Sequence, residues 1–211
     1  MRRVSFAFVC CFVVMAFSSC VGGREGTATL LLDDFSGLEV GMFSAPVGPH
    51  TEYHYLPEVA PKGNWAVSCF SWEPMAQRAW QVREENGANV MVQSFDNNQM
   101  KHTHPMIVTG DELWRDYTVE VRFAPESDKG QSGVNFRYRN DRCYYFFGVN
   151  GPKAILKMVH HAKAFRKPYE KILAQEEWRW PVGQYLTAKV TVKGSHIKAE
   201  FGRCPDRSWR F

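Results

Sequence analysis

The chain has 211 residues, 45% hydrophobic and 14% aromatic, which is enough for one domain with a sizeable core. Its formal net charge is +4, and without Arg2 and Arg3 it has 24 basic residues against 22 acidic ones. That near balance argues against a strongly basic, nucleic-acid-binding field.

The amino terminus has the layout of an export leader. Met1, Arg2 and Arg3 make a positive start, Val4 to Phe17 is apolar apart from Ser5, and Ser18, Ser19 and Cys20 follow. The run is too short for a membrane-crossing helix, which needs about 20 apolar residues, and suits a signal peptide. Residues 1–20 are therefore expected to be a leader, 21–28 a tether and 29–211 the domain. Phe17-Ser18-Ser19-Cys20 also resembles a bacterial lipobox. Processing is expected either with a lipid on Cys20 or by ordinary cleavage, so the protein would be extracellular, periplasmic or lipid-anchored. Membrane contact is expected only through such an anchor. Beyond the leader Cys69, Cys143 and Cys204 remain, an odd number, and Cys143 reads as a small core residue.

The first strand of the domain is expected at Leu30 to Asp33, ending in a turn through Asp34 to Gly37. Residues 41–77 hold five prolines and several aromatics and read as one long irregular loop, either a lid over the core or the rim of a ligand groove. Trp80–Glu84 and Asn89–Ser94 flank Asn86-Gly87, the pairing of a two-residue hairpin turn. Met106-Ile107-Val108 is a short candidate strand. From Tyr117 to Val149 three runs follow. Tyr117, Val119, Val121 and Phe123 alternate with Thr118, Glu120 and Arg122; Val134, Phe136 and Tyr138 alternate with Asn135, Arg137 and Arg139. A strand points successive side chains to opposite faces, so each run has a buried and a wet face. The third, Cys143 to Val149, is apolar on both faces, as a central strand is. An antiparallel meander is expected, turning at Asn140-Asp141, with Glu120, Arg122, Asn135, Arg137, Arg139 and Tyr144 sharing its second face. Ala154–Val159, Ile172–Ala174, Leu186–Val192 and Ile197–Phe201 add strands, the last two joined at Gly194-Ser195. No stretch has convincing helical periodicity. About ten short strands separated by turns predict an all-β, two-sheet antiparallel sandwich.

Asp33-Asp34-Phe35-Ser36-Gly37, Trp80-x-Val82, Trp114-Arg-Asp-Tyr-x-Val-Glu-Val-Arg-Phe123, Ser132-Gly-Val-x-Phe-Arg137, Tyr144-Tyr145 and Val190-x-Val-x-Gly-x-x-Ile197 resemble the concanavalin A-like lectin/glucanase jelly roll. Within it they are closest to the bacterial 3-keto-disaccharide hydrolase-like group, loosely labelled family 16 glycoside hydrolase-like. The resemblance spans about Leu30 to Phe201. It implies a jelly-roll sandwich and a secreted, carbohydrate-related role. Members of that group continue past the last hairpin, whereas Gly202 to Phe211 shows no alternation, so the jelly roll is expected to lack its last strand or strands. The paired-carboxylate signature of true family 16 glycosidases is missing.

The nearest match to that signature, Glu126-Ser-Asp-Lys-Gly-Gln131, ends in a residue that cannot act as a carboxylate and lies in a loop. Glu120 is the remaining acid/base candidate, with arginines beside it that suit an ion pair better than a general acid. The ligand-binding candidates are Arg122, Asn135, Arg137, Arg139 and Tyr144. Arginines can hold sugar hydroxyls or uronate carboxylates bidentately, while Tyr144, Phe146 and Trp114 can stack on pyranose faces. His50, Glu52 and His54, and His102 with His104, are of metal-ligand type but lack a supporting third cluster. The resemblance also leaves room for a structural Ca²⁺ on Asp33 or Asp34, as related jelly rolls often carry one, although two carboxylates fall far short of the 6–8 oxygens that the ion takes. No metal site is therefore assigned. No nucleophile elbow or phosphate loop is present. The expected partner is an oligo- or polysaccharide. The first reading is a carbohydrate-recognition domain, non-catalytic on its own; the alternative is a glycoside hydrolase of the 3-keto-disaccharide hydrolase type.

Overall fold

The computed structural model describes residues 8–18, 27–43, 64–70, 79–94, 104–160 and 169–202. These form fourteen strands and no helix: β1 (Phe8–Ser18), β2 (Thr27–Asp33), β3 (Gly41–Met42), β4 (Ala66–Phe70), β5 (Trp80–Glu85), β6 (Ala88–Gln93), β7 (His104–Val108), β8 (Tyr117–Pro125), β9 (Gln131–Asn140), β10 (Cys143–Asn150), β11 (Lys153–His160), β12 (Tyr169–Glu177), β13 (Leu186–Lys193) and β14 (His196–Phe201). An eight-stranded sheet runs β14-β13-β8-β1-β6-β5-β3, with β2 also paired to β1. A four-stranded sheet runs β12-β11-β10-β9, and β4 and β7 form a separate ribbon. All strand pairs are antiparallel. The expected all-β, two-sheet antiparallel sandwich of jelly-roll kind is the fold observed.

The core lies between the two main sheets. Val119, Val121, Phe123, Val190 and Phe201 come from the larger sheet, and Val134, Phe136, Phe147, Val149 and Leu156 from the smaller. Phe201 closes the gap, 4.6 Å from the Phe147 ring centre and 4.4 Å from that of Trp178. The period-two pattern of β8 puts Tyr117, Val119, Val121 and Phe123 inward, as expected. The Asn86-Gly87 hairpin forms with both residues at positive φ, the backbone that a two-residue turn requires.

The turn after β2 is held by side chains. Asp33 Oδ1 accepts from the Phe35 amide at 2.7 Å and Asp33 Oδ2 from Trp65 Nε1 at 2.7 Å. Asn89 Nδ2 donates to the Phe35 and Leu38 carbonyls at 3.2 and 2.9 Å. Both Asp33 oxygens thus serve the fold. Asp34 stays exposed, its pKa lowered by hydrogen bonds from Ser36.

Four expectations change. The meander is divided: β8 belongs to the larger sheet and β9 to β12 to the smaller, because residues 126–130 carry the chain across the sandwich instead of folding it back in one sheet. The turn between β9 and β10 is Asp141-Arg142, with Asn140 Oδ1 accepting from the Arg142 amide at 2.9 Å. Within the expected 41–77 loop, β3 and β4 form; residues 44–63 and 71–77 of it lie outside the described residues, as do 203–211. Cys143 is a free cysteine, half-buried rather than enclosed in the core. The apolar run read as a leader supplies β1, between β8 and β6.

Candidate functional site

The outer face of the four-stranded sheet gathers chemistry-bearing side chains. Strand register stacks them in cross-strand rows. Asn135, Phe146, Lys157 and Ile172 form one; Tyr144 and Val159 lead to Glu170 in the next; Gly133, Gly148 and Ile155 lie on the other side. Met106 of β7 packs on Tyr144, Phe146, Ile155 and Val159, with Tyr138 against them. Ser68 of β4 shares a 2.6 Å hydrogen bond with the Tyr138 hydroxyl, so the ribbon is pinned to this face.

Tyr138 is here because β9 is bulged. Strict alternation would put it inward with Val134 and Phe136. Arg137 instead has φ of 48°, in the left-handed region that non-glycine residues seldom adopt, and the register with β10 shifts beside it. The extra residue turns Tyr138 outward, where its ring stacks on Tyr144 with centroids 6.5 Å apart. The bulge is held from below: the Tyr117 hydroxyl accepts the Arg137 amide at 2.8 Å, and the Arg137 guanidinium donates to the Gly194 carbonyl. Burial raises the Tyr117 phenol pKa, outweighing the opposing effect of Arg137.

Charge is buried on this face. Lys157 is 1% exposed, and its ammonium lies 3.0 Å from Glu170 Oε2 and 5.6 Å from the Phe146 ring centre. Burial pushes the Tyr144 phenol far above its ordinary range, and the nearby Glu170, Asp141 and Tyr138 push in the same direction. Asn135 Oδ1 is buried with no hydrogen-bond partner among the described residues. An unmet acceptor of this kind costs about 1–3 kcal/mol, so a ligand hydroxyl donating to it would recover free energy. The face thus holds a buried acceptor in Asn135 with no partner among the described residues, a buried ammonium and the buried rings of Tyr144 and Phe146. That set suits a neutral, hydroxyl-rich ligand.

Only part of the expected site assembles. Asn135 and Tyr144 share this face. Arg122 and Glu120 lie on the outside of the other sheet, where Arg122 sits 4.2 Å over the Tyr185 ring and Glu120 is 3.7 Å from Lys189. Arg137 is spent on the Gly194 turn, and Arg139 is exposed. The shared second face therefore does not form, because the division of the meander separates β8 from β9. Phe146 is on the face, whereas Trp114 packs edge-on to Tyr117. Glu126 to Gly130 form the inter-sheet loop. No group of three His, Cys, Asp or Glu able to hold a metal occurs among the described residues; His50, Glu52, His54 and His102 lie outside them. Sequence reasoning missed Tyr138, Ser68, Lys157 and Glu170. The one readable signal was Lys157, a lone charge in the apolar run Ala154 to Val159.

Fold and site together define an all-β sandwich with a polar and aromatic outer sheet face. The structure is similar to the crystal structure of a GH43_12, a glycoside hydrolase, retrieved from a capybara gut metagenome, with a TM-score of 0.51 and 14% identity over 89% of this chain. The matched region is 32% of that protein, so this chain spans about a third of its length. At that identity the likeness establishes the fold alone. No protein-family model matches the chain, and no curated protein matches it.

Proposed function

We propose that the protein is a carbohydrate-recognition domain and that it binds sugar on the outer face of the four-stranded sheet. The observation that carries this is the buried Asn135 Oδ1, which has no hydrogen-bond partner among the described residues and lies across from Phe146, itself across from Lys157. A pyranose presents hydroxyl donors around an apolar ring, which complements an acceptor set among aromatics. The glycoside hydrolase with the same sandwich supports a carbohydrate-related role by fold analogy. Recognition without cleavage is favoured because Glu120 lies on the other sheet, and Glu170 on this face is tied to Lys157. Retaining hydrolysis needs two carboxylates about 5–5.5 Å apart, facing each other across the bond. Export by the amino-terminal run, to a secreted form or one anchored at Cys20, belongs to the same proposal.

The test is affinity electrophoresis of the full chain through gels containing a polysaccharide panel, with assay for released sugar. The expected result is retardation without release, reduced in Asn135→Ala by roughly fivefold in affinity, as for one lost hydrogen bond. Folded protein with no retardation in any gel would overturn the reading. Release of sugar would replace it with the hydrolase.

A further inference from the structure

The four-stranded sheet ends at β12, and among the described residues no strand pairs with the far side of β12. Tyr169 to Leu173 are all exposed, so both faces of that half of the strand meet water. Tyr169 is 54% exposed, Ile172 45% and Leu173 41%. Three large apolar side chains within five residues of a sheet edge favour a further strand. Such a strand would cover both faces and take up the open backbone N–H and C=O groups. The opposite edge, β9, has no exposed large apolar residue among the described ones.

The charges of β12 complement a copy of the same strand. Lys171 lies in its first half, and Glu176 and Glu177 lie at its end. Two copies laid antiparallel about a two-fold axis bring the lysine of each toward the glutamates of the other. Faces narrow the register, because directly opposed residues share a face. In β11, Ala154 and Leu156 point into the core, and Ile155 and Val159 point outward. Glu176 pairs with Ala154 and Lys171 with Met158, so both lie on the core side of β12. Residues five apart ordinarily face opposite ways; the bulge at Leu173, which the register with β11 skips, puts these two on one face. Lys171 opposite Glu176 therefore matches both charge and face. The same register sets Glu170 opposite Glu177, and each already has a lysine of its own chain within 3.0 or 3.1 Å to offset the repulsion.

We propose that β12 is a dimerisation edge, and that its occupant is the β12 of a second copy of this chain, antiparallel, with Lys171 opposite the partner's Glu176 and Leu173 opposite the partner's Ala174. Two four-stranded sheets then join edge to edge. The contact is the same patch on both copies, so assembly closes at two. One strand edge is less than a standard protein interface, so the association is weak, with a Kd in roughly the micromolar range. The inference does not rest on sugar binding, and its test uses no sugar.

The experiment is sedimentation equilibrium of the full chain over a range of concentrations. The expected result for the wild type is a monomer–dimer equilibrium. Lys171→Glu and Glu176→Lys should each weaken it by roughly tenfold or more, because two opposite-charge pairs become like-charge pairs. An equimolar mixture of these two variants should dimerise about as tightly as wild type, since each then meets the opposite charge across the edge. Leu173→Lys, at an exposed position, should also remove the dimer, and it covers a failure of either charge variant to fold. Wild-type protein that stays monomeric up to ~500 μM would overturn the proposal. So would a dimer that survives in folded Leu173→Lys, or a mixture of the two charge variants that associates no more tightly than either alone.

Discussion

Lys157 and Glu170 give the sharpest test of how the candidate face is held. The ammonium is 1% exposed as a residue and has Glu170 3.0 Å away, with the glutamate side chain 36% exposed. At an effective dielectric of about 20, unit charges at that distance attract by roughly 5 kcal/mol before desolvation is counted. Water reaches Glu170, so its removal should fall below the ~3–5 kcal/mol seen when a fully buried pair is broken, at about 2 kcal/mol. Lys157→Met removes the charge along with its desolvation cost and keeps the stem volume. It should stay within about 1 kcal/mol of wild type, losing the weak attraction to Phe146. The order of effects is therefore asymmetric. Glu170→Ala should lower Tm by roughly 4–8 °C in a domain of this size, Lys157→Met by much less, and the double variant should resemble Lys157→Met alone. Urea denaturation of the four proteins measures the coupling. If Glu170→Ala costs as much in the Lys157→Met background as in wild type, the pair is not an interacting unit and the face is held by other contacts.

Gly133→Ala should destabilise by more than the ~1–3 kcal/mol of ordinary overpacking, because the new Cβ would meet the Phe147 carbonyl oxygen and lie 2.6 Å from Gly148 Cα, main-chain atoms that cannot rotate away. Gly130→Ala, with φ of +83° and open space around it, should cost only about 1–2 kcal/mol of backbone strain; similar urea midpoints for the two would refute the argument. Tyr144 should remain protonated in the folded protein at a pH where exposed tyrosines have ionised, since burial raises its pKa. The unfolded chain then binds fewer protons than the native one above about pH 10, so the Tyr144 contribution is full below that pH and is lost as pH rises. Stability measured from pH 8 to 11 should fall less steeply in Tyr144→Phe, and equal slopes would refute the assignment.

Period-two alternation in β8 and β13 was readable because one face of each strand meets the core and the other meets water. Asn86-Gly87 was readable because few dipeptides adopt two positive φ angles. The candidate face was only half readable. Asn135 and Tyr144 were legible as the off-core residues of their strands. Tyr138 was not, because a bulge stabilised by the Tyr117 hydroxyl and the Gly194 turn is made by partners 20 and 57 residues from Arg137.

The grouping of the arginines shows the same limit. Alternation tells which residues of a strand share a face, but not which sheet the strand joins. Arg122 and Arg139 have matching patterns and end in different places because residues 126–130 cross the sandwich. The sequence by itself determined the all-β class, most of the strands and the inward residues of those without a bulge, since these follow from local periodicity and turn chemistry. Only the tertiary structure decided that Lys157 meets Glu170, that Ser68 reaches Tyr138 and that the apolar run at the amino terminus lies between β8 and β6. Those pairings depend on contacts between segments distant in the chain, and no local pattern encodes them.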